Sequence, residues 1–284
     1  MSRSTKNGSD RRYDHARQMY VSAPETIVSF EKHIDKILLS GIVNFYKDFE
    51  NDFNAASLLS DYWIRYAPRQ RGRDASNEAT PWGEVGEKVL DAYLYRFVSD
   101  QFPDARFVGL PYGHDIRFMT ERAFIHIDIK STGPNDSPHD IVLSLNQISG
   151  NGKYLDKDGV FNSIETAPGP RRDIVFQPEL PPFYLFDGKP RLTLTFYIKC
   201  SYEVQSIKYQ PLKYLELVCV PNGLIMFDTL LLKNKKGLFA AGKDIQNFSN
   251  DKRVRVKLNP LSEVAQWRCA KICNVDGNTT VVYR

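Results

Sequence analysis

Apolar positions recur every third or fourth residue along the first part of the chain and every second residue along much of the rest. The first spacing is typical of helices and the second of strands. The pattern predicts helices over residues 24–49, 54–66 and 81–99, and strands over residues 106–110, 115–119, 124–130, 192–198, 214–220 and 253–258. Polar, Gly- and Pro-containing surface loops are predicted over residues 67–79, 133–140, 149–159 and 168–190. Helices followed by strands predict a single α/β domain with a mixed sheet over residues 21–284.

Two of these strands are close enough in the chain to form a hairpin. With residues 121 and 122 as its turn, Asp115 lies directly opposite Asp128 on the same face, with Cβ atoms roughly 5 Å apart. Two carboxylates at that distance repel each other unless a divalent cation lies between them. The hairpin therefore predicts a metal site. Lys130 points to the same face, where it can reach a phosphate or a water beside the metal.

An acid-x-Lys triplet alone is a weak signal, because such triplets arise by chance. Asp187-Gly188-Lys189 is one example, in a predicted loop with no second carboxylate near it. For Asp128 and Lys130 a salt bridge on a solvent-facing sheet is the alternative interpretation. The predicted strand around Asp128 and the carboxylate of Asp115 opposite it favour the metal site. Both interpretations stay open at this point.

Further polar residues flank this hairpin. Glu84 and Glu87 lie on the helix predicted over residues 81–99, where an exposed, ion-paired face is the alternative to a role at the site. Glu87 is the better candidate of the two, because it is nearer the apolar stripe. His114 and His126 have no zinc-ligand spacing, and lone histidines more often only fill hydrogen-bonded positions.

The strand near the C-terminus alternates basic and apolar residues, which places Arg253, Arg255 and Lys257 on one face. Such a row can follow phosphates or read base edges, because the arginine fork matches guanine and a β-ribbon fits the major groove. Lys243 precedes this strand, and Arg71 lies in the loop over residues 67–79; both are further DNA-binding candidates. The alternative interpretation is an edge strand protected by charge.

Composition narrows the class of protein. The 284 residues carry a formal net charge of +4, and residues 1–18 contain five basic against two acidic residues. We expect residues 1–20 to form a flexible basic arm, either a solvated tail or a segment that orders on nucleic acid. The first twenty residues lack a signal-peptide pattern and no apolar run could span a bilayer, so neither secretion nor a membrane anchor is expected. Four cysteines without a C-x-x-C pair predict reduced thiols in a cytosol.

Several segments, in this order along the chain, resemble a known family. They are Trp63-x-x-Tyr66-x-Pro68-x-x-Arg71-Gly72, Pro81-Trp82-x-Glu84-Val85-Gly86-Glu87-Lys88, Asp128-Ile129-Lys130-Ser131-x-Gly133-Pro134-x-Asp136-Ser137, Val142-Leu143-Ser144-x-Asn146-Gln147, Ser149-Gly150-Asn151-Gly152, Val220-Pro221-Asn222-Gly223-Leu224 and Lys252-Arg253-Val254-Arg255-Val256. They resemble the BglI family of type II restriction endonucleases, within the PD-(D/E)XK nuclease superfamily.

The resemblance implies a restriction-endonuclease-like α/β core, a mixed sheet flanked by helices, with β-strand DNA-recognition elements near residues 214–258. It also implies Mg²⁺, a homodimer, and cleavage of double-stranded DNA at an interrupted palindrome that leaves 5′-phosphates. Carried over by position, it makes Asp115, Asp128 and Lys130 the catalytic core and Glu87 an additional acidic residue, with Asp115, Asp128 and the Ile129 carbonyl holding the metal.

A prokaryotic cytoplasmic location and a companion DNA methyltransferase are expected with such an enzyme. Two alternatives remain: a catalytically inactive, sequence-specific DNA-binding protein, and an RNA-processing nuclease, which paired carboxylates cannot exclude.

Overall fold

The computed structural model describes most of the chain. It covers residues 6–59, 80–109, 113–134, 136–152, 164–165, 175–176, 178–206, 209–233, 237–241 and 253–284. Arg71, Lys243 and most of the helix expected over residues 54–66 lie outside these ranges.

In the described part of the chain, three long helices come first: α1 (Lys6–Ser22), α2 (Pro24–Ala55) and α3 (Thr80–Gln101). The helices predicted from residues 24 and 81 are confirmed, and both extend beyond the predicted ends. Pro24 stands in the first turn of α2, where its missing N–H is not needed. A short 3₁₀ turn, Ala56–Leu59, follows α2. Among the described residues, none of the helices has the length and apolar character to cross a bilayer.

Helix α1 differs from the flexible arm expected over residues 1–20. Tyr13 and Ala16 are buried on one face of this helix, and the Tyr13 ring stacks on Phe183 at 4.4 Å between centroids. The Tyr13 hydroxyl donates to the Gly152 carbonyl at 2.6 Å, and Arg17 forms an ion pair with Asp228. The expectation of a flexible arm rested only on the overall basic composition and missed this short apolar stripe of Tyr13 and Ala16, which packs the segment against the core.

Among the residues that the structure describes, eight strands form the main sheet. Seven follow the order β1 (Arg106–Phe107), β2 (Ile116–Met119), β3 (Ala123–Thr132), β8 (Lys189–Tyr202), β9 (Leu212–Val220), β12 (Cys269–Val275) and β13 (Asn278–Tyr283), and β7 (Phe183–Phe186) pairs with the start of β8. Strands β3 and β8 are parallel, and the other pairs are antiparallel. The sheet is therefore mixed, as predicted. Each predicted strand is present with altered ends, whereas β7 lies in a predicted loop and β12 and β13 were not predicted.

A second sheet of three strands has the order β10 (Phe239–Ala241), β11 (Arg253–Lys257) and β4 (Asp140–Ser144), all antiparallel. Strand β4 overlaps the end of a predicted loop. A separate two-stranded ribbon joins β5 (Ile164–Glu165) to β6 (Val175–Phe176). Both sheets contribute to one continuous core, in which Val254 and Val256 of β11 are fully buried.

Helices α2 and α3 pack against each other; α2 also packs on β9 and β12, and α3 on β3. The interface beneath α2 contains a buried ion pair, in which Arg268 Nη2 lies 2.6 Å from Glu31 Oε2. Asp35 lies one turn further along α2, and burial raises its pKa to about 7, although the charge of Arg268 lowers it. This part of the core holds more acidic groups than it has cations to neutralise.

Candidate active site

The predicted hairpin is formed by β2 and β3. Its register pairs Ile116 with Ile127, so Asp115 stands opposite Asp128 as the turn geometry predicted. The Thr120 N–H donates to the Ala123 carbonyl at 2.8 Å and closes the turn. Asp128 is buried on β3, whereas Asp115 is exposed at the start of β2.

The predicted side chains meet at this end of the hairpin. Asp115 Oδ2 accepts a hydrogen bond from the Ile129 N–H at 2.6 Å, and Lys130 Nζ lies 2.6 Å from Asp128 Oδ2. An ion pair between Asp128 and Lys130 is therefore present. It does not lie on a solvent-facing sheet, because the side chain of Asp128 is only 6% exposed.

The electrostatics of the site are dominated by burial. Burial raises the pKa of Asp128 to about 7; the charge of Lys130 lowers this pKa, while Asp115 and Glu87 raise it. Burial, followed by the charge of Asp115, also raises the pKa of Asp91 to about 6. The site therefore combines buried carboxylates with neighbouring acidic groups whose charge opposes their ionisation.

Helix α3 contributes Glu87 and Asp91 to this acidic region, one helical turn apart. Glu87 is half-buried, and its charge acts on Asp128 and on the Cys200 thiol. Gly86 allows the close packing of α3 on β8, since an added Cβ would lie 3.0 Å from Cys200 Sγ. The side chain of Glu84 is outside the described part of the chain. Asp91 was not predicted from the sequence.

Gln147 is a site residue that sequence reasoning missed. It ends a 3₁₀ turn, Leu145–Gln147, directly after β4, and its Nε2 donates to Asp128 Oδ1 at 2.9 Å. Ser144 and Gln147 form a capping box, and the Ser-x-x-Gln spacing was visible in the sequence. That signal predicts only a turn, because the contact with Asp128 is made across the fold.

The two histidines beside the site are buried and neutral. His114 and His126 lie with ring centroids 4.7 Å apart. Burial lowers the pKa of His126 to about 3, and burial together with His126 holds the pKa of His114 well below its usual value. Neither ring adds positive charge to the site at neutral pH.

The predicted basic strand is β11, and Asp140 of β4 contacts two of its cations. Arg255 Nη1 lies 2.7 Å from Asp140 Oδ1 and Lys257 Nζ lies 2.9 Å from Asp140 Oδ2. Burial opposes ionisation of Asp140, but the hydrogen bond from Lys257 and the charge of Arg255 outweigh it and keep the pKa low. Because β11 pairs on both sides, it is not the charge-protected edge strand of the alternative interpretation.

The residues of the hairpin fit a divalent cation. Within the described ranges, no group of three or more His, Cys, Asp or Glu side chains is arranged to hold a metal, so carboxylates and a backbone carbonyl would have to share it. Asp128 Oδ2 is buried and lies 2.6 Å from Lys130 Nζ. Carboxylate oxygens are hard ligands of the kind that Mg²⁺ prefers, and a cation beside Asp128 would offset the repulsion from Asp115 that raises the pKa of Asp128.

Comparisons with known proteins show the family to which this chain belongs. The family model described as restriction endonuclease BglI matches residues 9–272. The chain is 34% identical over 276 residues to the type II restriction enzyme BglI of Bacillus subtilis, a match that covers 89% of this chain and 92% of that protein.

Solved structures agree with this result. The crystal structure of the restriction endonuclease BglI bound to its DNA recognition sequence superposes with a TM-score of 0.78 and 31% identity, covering 93% of this chain and 96% of that one. The tetrameric restriction endonuclease SfiI bound to cognate DNA matches at a TM-score of 0.62 and 12% identity over 92% and 94% of the two chains, which indicates a shared fold alone. The sequence and the fold thus agree: this chain belongs to the BglI family of type II restriction endonucleases.

Proposed function

We propose that this chain is a type II site-specific deoxyribonuclease that cleaves both strands of an interrupted palindrome and leaves 5′-phosphates. One observation carries the proposal: in a chain of this family, Asp115 and Asp128 face each other across a hairpin and Lys130 contacts the second of them. That is the set of groups needed for metal-assisted hydrolysis of a phosphodiester.

Asp115, Asp128 and the Ile129 carbonyl would hold Mg²⁺. When bound, the ion supplies a Lewis acid that stabilises the negative charge developing on the scissile phosphate. As an ammonium, Lys130 would position the attacking water by donating a hydrogen bond to it, and only as a neutral amine could it take the proton of that water. The ammonium lies 2.6 Å from Asp128, where it favours the ionised carboxylate. Glu87 adds negative charge at the margin of the site.

DNA is the proposed substrate, and β11 is the proposed recognition strand. Arg253, Arg255 and Lys257 would face the DNA, and the ion pairs with Asp140 hold the second and third of them in place. Lys243 and Arg71 remain proposed DNA contacts. A homodimer, a prokaryotic cytoplasmic location and a companion DNA methyltransferase complete the proposal.

The test is incubation of the purified protein with phage DNA in the presence of Mg²⁺ or of EDTA. Discrete fragments that require Mg²⁺ support a restriction endonuclease, and their ends should accept ligation without added kinase. DNA binding without cleavage would instead identify the inactive DNA-binding alternative. A parallel incubation with RNA, which we expect to stay intact, addresses the RNA-processing alternative.

A further inference from the structure

One buried amide, that of Gln147, lies between the two side chains to which the proposed function assigns chemistry. Its Nε2 donates to Asp128 Oδ1 at 2.9 Å, and its Oε1 accepts from Lys130 Nζ at 3.3 Å. Gln147 is 8% exposed, so water has little access to compete for these bonds. The same amide thus contacts a carboxylate and an ammonium that also contact each other.

The remaining hydrogen-bonding capacity of this amide is used by the backbone. Nε2 also donates to the Gly113 carbonyl at 2.6 Å, and Oε1 also accepts from the Ser144 N–H at 3.0 Å. A glutamine amide has two donors and two acceptor lone pairs, so all four are satisfied. A flipped amide would place two acceptors, or two donors, against each other. Its orientation is therefore fixed by the fold.

The backbone of Gln147 is itself fixed. Its carbonyl accepts a hydrogen bond from the buried Tyr197 hydroxyl and lies 3.2 Å from His114 Nε2. Gly113 approaches the same turn with a φ of +123°, where a side chain would be strained and an added Cβ would lie 2.8 Å from the Asn146 carbonyl oxygen. The segment leading to Asp115 and the turn carrying Gln147 are thus packed against each other.

We propose that Gln147 is a positioning residue whose amide orients Asp128 and Lys130 relative to the turn that follows β4. This inference rests on the proposed function for the roles of those two side chains. The bond to Asp128 Oδ1 fixes the rotation of the carboxylate, which leaves Oδ2 for Lys130 and a metal. Partners of this kind, which orient metal ligands without touching the metal, commonly affect metal affinity or activity by roughly 10–100-fold.

The test distinguishes the effect of the Gln147 amide on the site from the effect of the turn that this residue caps. Gln147→Met removes all four amide bonds but keeps the length of the side chain. The matched control, Ser144→Ala, removes the capping hydroxyl but leaves the Ser144 N–H and the amide in place. Mn²⁺ binding without DNA is measured by electron paramagnetic resonance, and cleavage is measured in single turnover on a DNA fragment that the wild type cuts.

We expect Gln147→Met to bind Mn²⁺ and to cleave roughly 10–100-fold less well, with unchanged metal-free DNA affinity, whereas Ser144→Ala stays near the wild type in each measurement. Wild-type Mn²⁺ binding and cleavage by Gln147→Met would overturn the proposal. An equal loss in Ser144→Ala would overturn it as well, because the turn would then be the cause.

If Gln147→Met fails to fold, Gln147→Glu carries the test, since a carboxylate can still accept from Ser144 and Lys130 but cannot donate to Asp128. A wild-type cleavage rate in this variant overturns the proposal. Absence of cleavage by the wild-type protein would instead refute the proposed function, and a loss of Mn²⁺ binding confined to the Gln147 variants would still support the positioning role.

Discussion

At the scale of single residues, burial decides what each charged group can do. Asp128 and Asp35 are both buried carboxylates with pKa values raised to about 7. Asp128 has Lys130 beside it and Asp115 opposite it on the neighbouring strand, an arrangement that we propose a cation completes. Asp35 lies in the core beneath α2, where Arg268 already pairs with Glu31. The same physical effect therefore supports chemistry at one position and costs stability at the other.

Asp35 should make the protein less stable as the pH rises. Its pKa in the folded protein is raised to about 7 from an ordinary value of 3.8, so the folded state binds this proton more tightly than the unfolded state. The resulting stabilisation is fully present below about pH 3.8, declines as the pH rises from there towards 7, and is lost above about pH 7. We expect Asp35→Asn to melt near the wild-type temperature at about pH 4 and increasingly above it as the pH rises to about 8, by differential scanning calorimetry. A difference in Tm that does not change with pH would contradict this assignment.

At the scale of secondary structure, the local pattern of apolar and polar residues predicted the hairpin at the site. The missed strands depend on contacts between segments that are distant in the sequence. The hairpin and its register follow from the alternation of apolar and polar residues over 124–130 and from the short turn before this segment. Strand β4 is stabilised by its pairing with β11. It follows a Gly- and Asp-containing stretch, and its local sequence does not indicate that β11 is its partner. Gln147 follows β4 and was missed with it. Its role depends on an amide that reaches across the fold, which no local spacing records.

Helix α1 lies where the basic composition indicated a flexible arm. Two of its side chains, Tyr13 and Ala16, are buried against the core. Tyr13→Ala should remove the stacking on Phe183 and the bond to the Gly152 carbonyl, at a cost of roughly 3–5 kcal/mol in the free energy of unfolding. The control, Arg11→Ala, changes an exposed residue of the same helix and should leave stability near the wild type. Urea denaturation measures both. Equal stability of the two variants would mean that residues 6–22 are not packed on the core.

Strand β11 should contribute to sequence discrimination if Arg255 reads a base. Arg255→Ala is then expected to cost roughly 1–3 kcal/mol on the cognate duplex and much less on a duplex with one G·C pair changed. The measurement is Kd against salt concentration on both duplexes without metal. A uniform loss of affinity, with a salt slope lower by about 1, would show that Arg255 only contacts phosphate.

At the scale of the whole molecule, the described residues of each chain form one hairpin site of this kind, although cleavage of a duplex involves two strands. An interrupted palindrome has two-fold symmetry, and a protein that reads both halves alike is expected to share that symmetry. The main sheet, the three-stranded sheet and the helices are joined in one core, so each chain would present its recognition strand and its site as a unit.

We therefore expect a two-fold symmetric homodimer. Sedimentation equilibrium at micromolar concentration should give twice the chain mass of 32.6 kDa, both free and on a cognate duplex. A monomer under both conditions would contradict the expectation.

The central claim is that the carboxylate hairpin performs metal-dependent cleavage, and Asp128→Asn tests it most directly. The cleavage rate in single turnover with Mg²⁺ is compared with the metal-free Kd on the same cognate duplex, with Glu121→Gln in the exposed turn of the same hairpin as control. The account predicts that Asp128→Asn cleaves roughly 10³-fold more slowly or worse, binds DNA as the wild type does, and that the control is unaffected. Cleavage by Asp128→Asn at the wild-type rate would contradict the account.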